Sequence, residues 1–241
     1  MSGTPLENIA QSAYKVHNFY TKSNLLLYLL RDKDLFSKVL IFVSDKKSAD
    51  RLFELLEEDL GSKVGVIHSN KSQNYRIRMV EEFDTGMLRV LVSTDIMARG
   101  LDLDKISHVI NFDTPIYPEN YIHRIGRSGR AEQEGRSILF YTEKESIQKE
   151  AIEVLMDLKI PEIDFPADVK ISSQLTPEER PTIVEKYSRN FIKENPDKGF
   201  HDKLEKNKKV NLGGSYKREI AKKYKKPKTR GDKHSNNRKK K

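Results

Sequence analysis

The sequence predicts an α/β fold: a parallel sheet of about five to six strands, covered by helices on both faces, followed by a basic C-terminal extension. Three observations carry this. Between Tyr14 and Tyr141, short β-rich runs alternate with stretches of helical period, the order expected of β-α-β units. The runs are continuously apolar, as strands buried on both faces are. Charge is segregated: residues 1–166 hold 22 Lys and Arg against 26 Asp and Glu, a net of −4, whereas residues 167–241 hold 23 against 10, a net of +13.

Taken in order, Val39-Leu40-Ile41-Phe42-Val43 is the clearest strand. Val64–Ile67, Val90–Val92, His108–Phe112 and Ser137–Tyr141 repeat its form, giving five parallel strands. Between them, Lys46–Leu60 places Ala49, Leu52, Phe53, Leu56 and Leu60 at helical spacing, with Ser44 or Asp45 as N-cap and Gly61 as the stop. Ser72–Phe83 repeats the pattern with Ile77, Val80 and Phe83. Glu143–Leu158 does so again with Ile147, Ala151, Ile152, Val154, Leu155 and Leu158. Right-handed crossovers follow from this order. Pro161 and Pro166 bracket the end of the globule, and residues 177–193 have the composition of one more helix. From Pro196 onward Lys, Asn, Gly and Ser dominate, so burial cannot offset chain entropy and disorder is expected there.

Composition removes several function classes. The 241 residues contain no cysteine, which excludes disulfides, a thiolate nucleophile and Cys-based zinc sites. The six histidines never fall into an H-x-x-x-H or H-E-x-x-H spacing, so a transition-metal site is not expected. The longest apolar runs, Leu25–Leu30 and Val39–Val43, fall far short of the ~18 residues that span a bilayer, and no signal peptide is legible in residues 1–20. A soluble, cytoplasmic protein is expected, with no membrane partner. The positive block suits a polyanion, and charge alone leaves RNA, DNA and acidic lipid open.

Ligands of doubly wound sheets bind at the carboxyl ends of the strands, and three segments there are unusual. His123-Arg124-Ile125-Gly126-Arg127-Ser128-Gly129-Arg130 gathers four formal or potential cations. Were its start helical, Arg127 and Arg130 at i and i+3 would converge on one anion, which guanidinium forks match bidentately. The plainer reading is a solvated helix end. Ser93-Thr94-Asp95 through Arg99-Gly100-Leu101-Asp102 offers hydroxyls and carboxylates suited to phosphate and ribose; Thr94 or Asp95 could equally be a helix N-cap. Gln73-x-x-Arg76, taken alone, reads as an ordinary first helical turn.

Together these segments resemble the second lobe of the DEAD-box RNA helicases. Val39–Ser44 is similar to that family's motif IV, Gln73-x-x-Arg76 to IVa, Ser93–Asp102 to V, and His123–Arg130 to VI. Four motifs in order span the match, which runs from about Ile9 to Phe165. Ser128 and Asn70 stand where Thr and Gly are commoner. The resemblance implies a RecA-like, P-loop NTPase-type lobe that supplies half of an ATP site and half of an RNA groove. Arg127 and Arg130 would be arginine fingers at the γ-phosphate, worth about 10³–10⁵ in rate in related systems. Gly100 and Asp102 would face the nucleotide ribose. Arg76 and Thr94, with Ser44 a weaker candidate, would hold RNA phosphates with little sequence preference. His123 and Arg124 would link motifs rather than touch substrate.

The sequence contains no G-x-x-x-x-G-K-[ST] loop and no Asp-Glu-Ala-Asp run. The implied ATP and Mg²⁺ would therefore be bound mainly by an N-terminal RecA-like lobe, the implied partner, and this chain alone is expected to hold no cofactor and hydrolyse no ATP. The expected divisions are a linker remnant over 1–13, the RecA-like domain over 14–166, a partly helical extension over 167–195, and a basic RNA-binding tail over 196–241. That tail reads alternatively as a solubilising end. A stand-alone RNA-binding or regulatory module is the rival to a half-helicase, distinguished by whether Arg127 and Arg130 serve a nucleotide.

Overall fold

The computed structural model describes residues 9–95, 103, 105–128 and 135–180, all within the first of two units, Met1–Thr182. Its centre is a six-stranded, wholly parallel sheet in the order β1-β6-β5-β2-β4-β3. The strands are β1 (Ile9–Lys15), β2 (Val39–Val43), β3 (Val64–Ile67), β4 (Val90–Thr94), β5 (His108–Asn111) and β6 (Gly135–Tyr141). Among the described residues, five α-helices flank it: α1 (Phe19–Leu29), α2 (Lys46–Leu60), α3 (Gln73–Asp84), α4 (Pro118–Ile125) and α5 (Ser146–Met156).

Strand alternation divides the interior into two faces. Val39, Ile41 and Val43 of β2, with Val90, Val92, Ile110 and Phe140, pack under Leu25 and Leu26 of α1 and Leu52 and Leu56 of α2. The intervening Leu40 and Phe42, with Leu91 and Val109, meet Met79 and Phe83 of α3. Farther along that face, Leu139 and Tyr141 meet Tyr121 and Ile125 of α4 and Ile152 of α5. Period-2 side chains on doubly covered strands produce the unbroken apolar runs seen in the sequence.

The helix α2 has the predicted bounds. Asp45, not Ser44, is its cap, accepting from the main-chain N–H of Lys47 (2.8 Å) and Ser48 (3.1 Å), and Gly61 closes it at φ 56°, in the left-handed region open to glycine. Ser72 caps α3, whose buried residues are Met79 and Phe83, while the expected core residue Ile77 is 47% exposed.

Three expectations are corrected. Residues 9–13 are not linker: Ile9–Lys15 pairs along its whole length with Gly135–Tyr141, making a sixth strand at the sheet edge. An edge strand is half covered, so Gln11 and Ser12 interrupt the apolar run that marks its neighbours. The chain also stays on the globule beyond 166, for Val169 and Thr176 are buried and Asn18 Nδ2 donates to the Ser172 carbonyl at 2.6 Å. Through Arg180 this extension contains turns and no helix; its remainder, and the tail over 196–241, lie outside the described residues. Finally, the expected helix over 143–158 is a 3₁₀ turn, Glu143–Glu145, followed by α5, and only Ile152 of its expected apolar face enters the core.

His108 is 4% exposed and stacks on Phe36 at 4.2 Å between ring centroids. Burial, aided by the charge of Arg136, pushes its ring down to about 4. The folded state thus favours the neutral ring, so this contribution to stability is full above pH 6.5 and is lost as pH falls toward about 4. Urea midpoints measured across that interval should fall in the wild type and fall less steeply in His108→Gln; parallel slopes would contradict the assignment.

Candidate functional site

The carboxyl ends of β2, β4, β5 and β6 are tied together by charge. At the centre is Arg124, on the last turn of α4 and 2% exposed. Its Nε and Nη2 donate to the two carboxylate oxygens of Asp95 at 2.5 and 2.9 Å, just past β4. Nη1 donates to Asn111 Oδ1 at 3.2 Å and to the Asp113 carbonyl at 2.8 Å, both at the end of β5. The guanidinium lies 5.1 Å from the ring centroid of Phe42. A fork bound at both tines and resting on an aromatic face is fixed in direction as well as position.

The network extends from there. The Ser44 N–H and hydroxyl both donate to Asp113 Oδ2 at 2.9 Å, and Lys22 Nζ meets the other oxygen at 3.3 Å. Lys22, 3% exposed, pairs with Glu145 at 2.9 Å. Glu145 also accepts from the main-chain N–H of Thr114 (3.1 Å) and Thr142 (2.7 Å), completing a capping box at the turn that leads into α5. One charged web therefore joins α1, four strand ends and two helix starts.

Above it opens a cavity of about 280 Å³ lined by Ser44, Thr94, Asp95, Thr114, Tyr117 and Arg124 among others. Ile116 and Tyr117 stand 74% and 67% exposed at its rim. Among the described residues the Thr94 hydroxyl has no hydrogen-bond partner, whereas the hydroxyl hydrogen of Ser44 is committed to Asp113. Of these two candidate phosphate ligands, Thr94 is the one with a donor available.

The cavity thus gathers Ser44, Thr94 and Arg124, while Arg76, His123 and Arg127 do not line it. Arg76 is in the first turn of α3, where its Nη2 donates to Gln73 Oε1. The loop before α3 is fixed to α2: His68 Nε2 lies 2.9 Å from Asp50 Oδ1, Lys71 pairs with the same oxygen at 2.9 Å, and Lys46 Nζ donates to Asn70 Oδ1 at 3.1 Å. His123 is exposed at the end of α4. Arg127 is half-buried, with Nε donating to the His123 carbonyl at 3.3 Å. The helix ends at Ile125, before Arg127. Gly100, Asp102 and Arg130 lie outside the described residues, as does the segment that Thr94 or Asp95 was expected to cap.

Asp95 and Asp113 lie just past strand ends and Asn111 is the last residue of β5, so all three could have been singled out by position. Lys22 and Glu145, 123 residues apart, carry no pairing signal in the sequence.

Three comparisons bear on this geometry. Residues 21–132 match the family model described as the helicase conserved C-terminal domain. The chain is 37% identical over 163 residues to the ATP-dependent RNA helicase DeaD of Buchnera aphidicola subsp. Baizongia pistaciae, covering 68% of this chain and 26% of that protein. The structure is similar to the C-terminal domain of the DEAD-box protein Dbp5, at TM-score 0.58 and 31% identity over 66% of this chain and 91% of that one. It is also similar to S. cerevisiae Dbp5 bound to RNA and ADP BeF3, at TM-score 0.59 and 30% identity over 68% of this chain and 44% of that one. Against curated relatives such as DeaD, the chain spans 26% to 38% of their length.

Arg124→Ala would leave the Asp95 carboxylate, Asn111 Oδ1 and the Asp113 carbonyl without their donor, a loss of about 3–5 kcal/mol for breaking a buried pair. Chemical denaturation should show that loss in Arg124→Ala and little recovery in Arg124→Lys, because an ammonium cannot serve three acceptors in the fork's geometry.

Proposed function

The chain belongs to the DEAD-box family of helicase C-terminal domains, and on that footing we propose that it works as the second lobe of an ATP-dependent RNA helicase. Its role would be to complete an ATP site carried mainly by an N-terminal RecA-like lobe and to form half of an RNA backbone groove for local duplex unwinding. The observation that carries the reading is the cavity at the strand carboxyl ends, where Thr94 offers a hydroxyl donor above a base made rigid by Arg124.

Within that reading each residue has a task. Thr94 and Arg76 hold RNA phosphates, one by a neutral hydrogen bond and one by charge, with Ser44 able to join only by giving up Asp113. Arg127 and Arg130 reach across to the γ-phosphate and stabilise the charge that develops on its oxygens. Gly100 and Asp102 face the ribose. His123 and Arg124 couple the nucleotide side to the RNA side, Arg124 through Asp95 and Asp113. The basic tail adds affinity without sequence preference, by counterion release.

The test is RNA-stimulated ATP turnover by this chain alone and by the same chain fused to a DEAD-box first lobe. Turnover should occur only in the fusion, and Arg127→Ala or Arg130→Ala should lower its kcat by about 10³-fold or more while RNA affinity changes little. Wild-type turnover in both variants would remove the finger role, and an inactive but folded fusion would favour an RNA-binding module instead.

RNA affinity measured across a salt series separates the phosphate contacts. Arg76→Ala should weaken binding equally for unrelated sequences and reduce the log–log salt slope by about 1, and deletion of 196–241 should reduce it further. Unchanged slopes would take both out of the interface.

A further inference from the structure

The segment from Thr114 to Tyr117 lines the cavity at the strand carboxyl ends, and it holds two large apolar side chains in the open. Both of its ends are fixed. Thr114 is buried; its N–H donates to Glu145 Oε1 at 3.1 Å and its hydroxyl to the Phe140 carbonyl at 3.4 Å. Pro115 is buried and locks its own φ. Pro118, the first residue of α4, restricts Tyr117 to the extended region, where it lies at φ −100° and ψ 121°. The Tyr117 carbonyl accepts from the Asn120 N–H at 3.0 Å. Between these anchors Ile116 is 74% and Tyr117 67% exposed. Among the described residues the Tyr117 ring meets no other ring or cation, and its hydroxyl has no hydrogen-bond partner.

An aromatic ring carried on a stiff backbone offers contact area at little entropic cost. The rest of the cavity narrows what the ring can take. Asp95 and Arg124 answer each other's charge, so neither is left to draw an ionic partner. There remain a hydroxyl donor on Thr94, an aromatic face on Tyr117 and an aliphatic one on Ile116, all lining one cavity of about 280 Å³. A nucleotide unit matches this set, with a phosphate oxygen to accept from Thr94 and a base to lie on the ring. Every base has a π-face, so the contact keeps the indifference to sequence that phosphate contacts have. It is not indifferent to strandedness. A base inside a duplex is covered on both faces by its neighbours, and only an unstacked base can reach a side-chain ring.

We propose that Tyr117 is a base-stacking residue that makes this site select single-stranded RNA, with Ile116 packed against the same nucleotide. The proposal rests on the reading of Thr94 as an RNA phosphate ligand. To that reading it adds a residue that touches a base, and a reason for the lobe to favour a separated strand over a duplex.

The test measures RNA affinity of the full chain, alone and fused to a DEAD-box first lobe, at raised salt, where diffuse binding by the basic tail is weakest. The probes are an oligouridylate, the same strand made abasic at each position in turn, and its duplex with oligoadenylate. Tyr117→Ala should weaken the intact single strand by about tenfold and leave the duplex unchanged, while Tyr117→Phe binds as the wild type does. On the strand that is abasic at the contacted position, wild type and Tyr117→Ala should bind equally. The side chain is exposed, and an unchanged melting midpoint verifies the fold of each variant. Equal binding of the intact strand by wild type and Tyr117→Ala, with weaker binding by Thr94→Ala, overturns the stacking and leaves the phosphate reading standing. A loss of the same size on every abasic strand or on the duplex also overturns it, because the ring would then touch sugar or phosphate. So does weaker association of Tyr117→Ala with a separate first lobe in the absence of RNA, which would give the ring to the contact between lobes. No RNA binding by either folded form would remove the phosphate reading and the stacking together.

Discussion

A guanidinium buried to 2% exposure is tolerable only if its charge is met on the spot, and for Arg124 that requirement organises the carboxyl side of the sheet. Asp95 must sit where the fork reaches, which fixes the exit of β4. Asn111 and the Asp113 carbonyl must turn inward, which fixes the exit of β5. The Asp113 side chain, thus positioned, takes both donors of Ser44 and one from Lys22, and Lys22 in turn holds Glu145. Each member's position follows from its predecessor's. In a low-dielectric setting such a web is rigid when fully paired and costly when broken.

This is why strands could be read from the sequence so directly while the polar site could not. A strand covered on both faces needs apolar residues at every position, and β2, β3 and β4 show that as unbroken runs. A half-covered edge strand does not, and β1 with Gln11 and Ser12 passed for a linker. In α1 the obstacle was the reverse: Leu25-Leu26-Leu27-Tyr28-Leu29-Leu30 is apolar all round, so no face stands out until Thr21, Lys22 and Ser23 are also found buried. Motif residues such as Thr94, Arg124 and Arg127 were legible because their spacing is local. Lys22 with Glu145, and Arg124 with Asp95, are long-range pairs that only the folded sheet brings together.

The helix α5 illustrates a different limit. Hydrophobic periodicity reports that a face is to be covered, and it does not report by what. The pattern in 143–158 is an amphipathic helix by any sequence criterion, yet the sheet packs against Ile152 and a lysine–glutamate pair while Ile147 and Val154 face outward. Burying Lys149 and Glu153 where two aliphatic residues would fit gives no obvious gain in stability. It does leave the better apolar face available.

On the proposed reading, rigidity below and a donor above would let one lobe serve two ligands. If Thr94 and Arg124 both bent toward whatever entered the cavity, ordering them would consume binding energy at each cycle. Arg124 is instead saturated by protein acceptors, so it can neither bind a phosphate itself nor drift when one arrives. Arg127 lies just beyond it in the chain, with its main-chain N–H bonded to the Arg124 carbonyl at 3.1 Å. A displacement of Asp95 by RNA held at Thr94 would be carried through the bidentate pair to Arg124 and on to that turn. Such coupling requires a stiff connection with no spare hydrogen-bonding capacity of its own, and the buried fork supplies it.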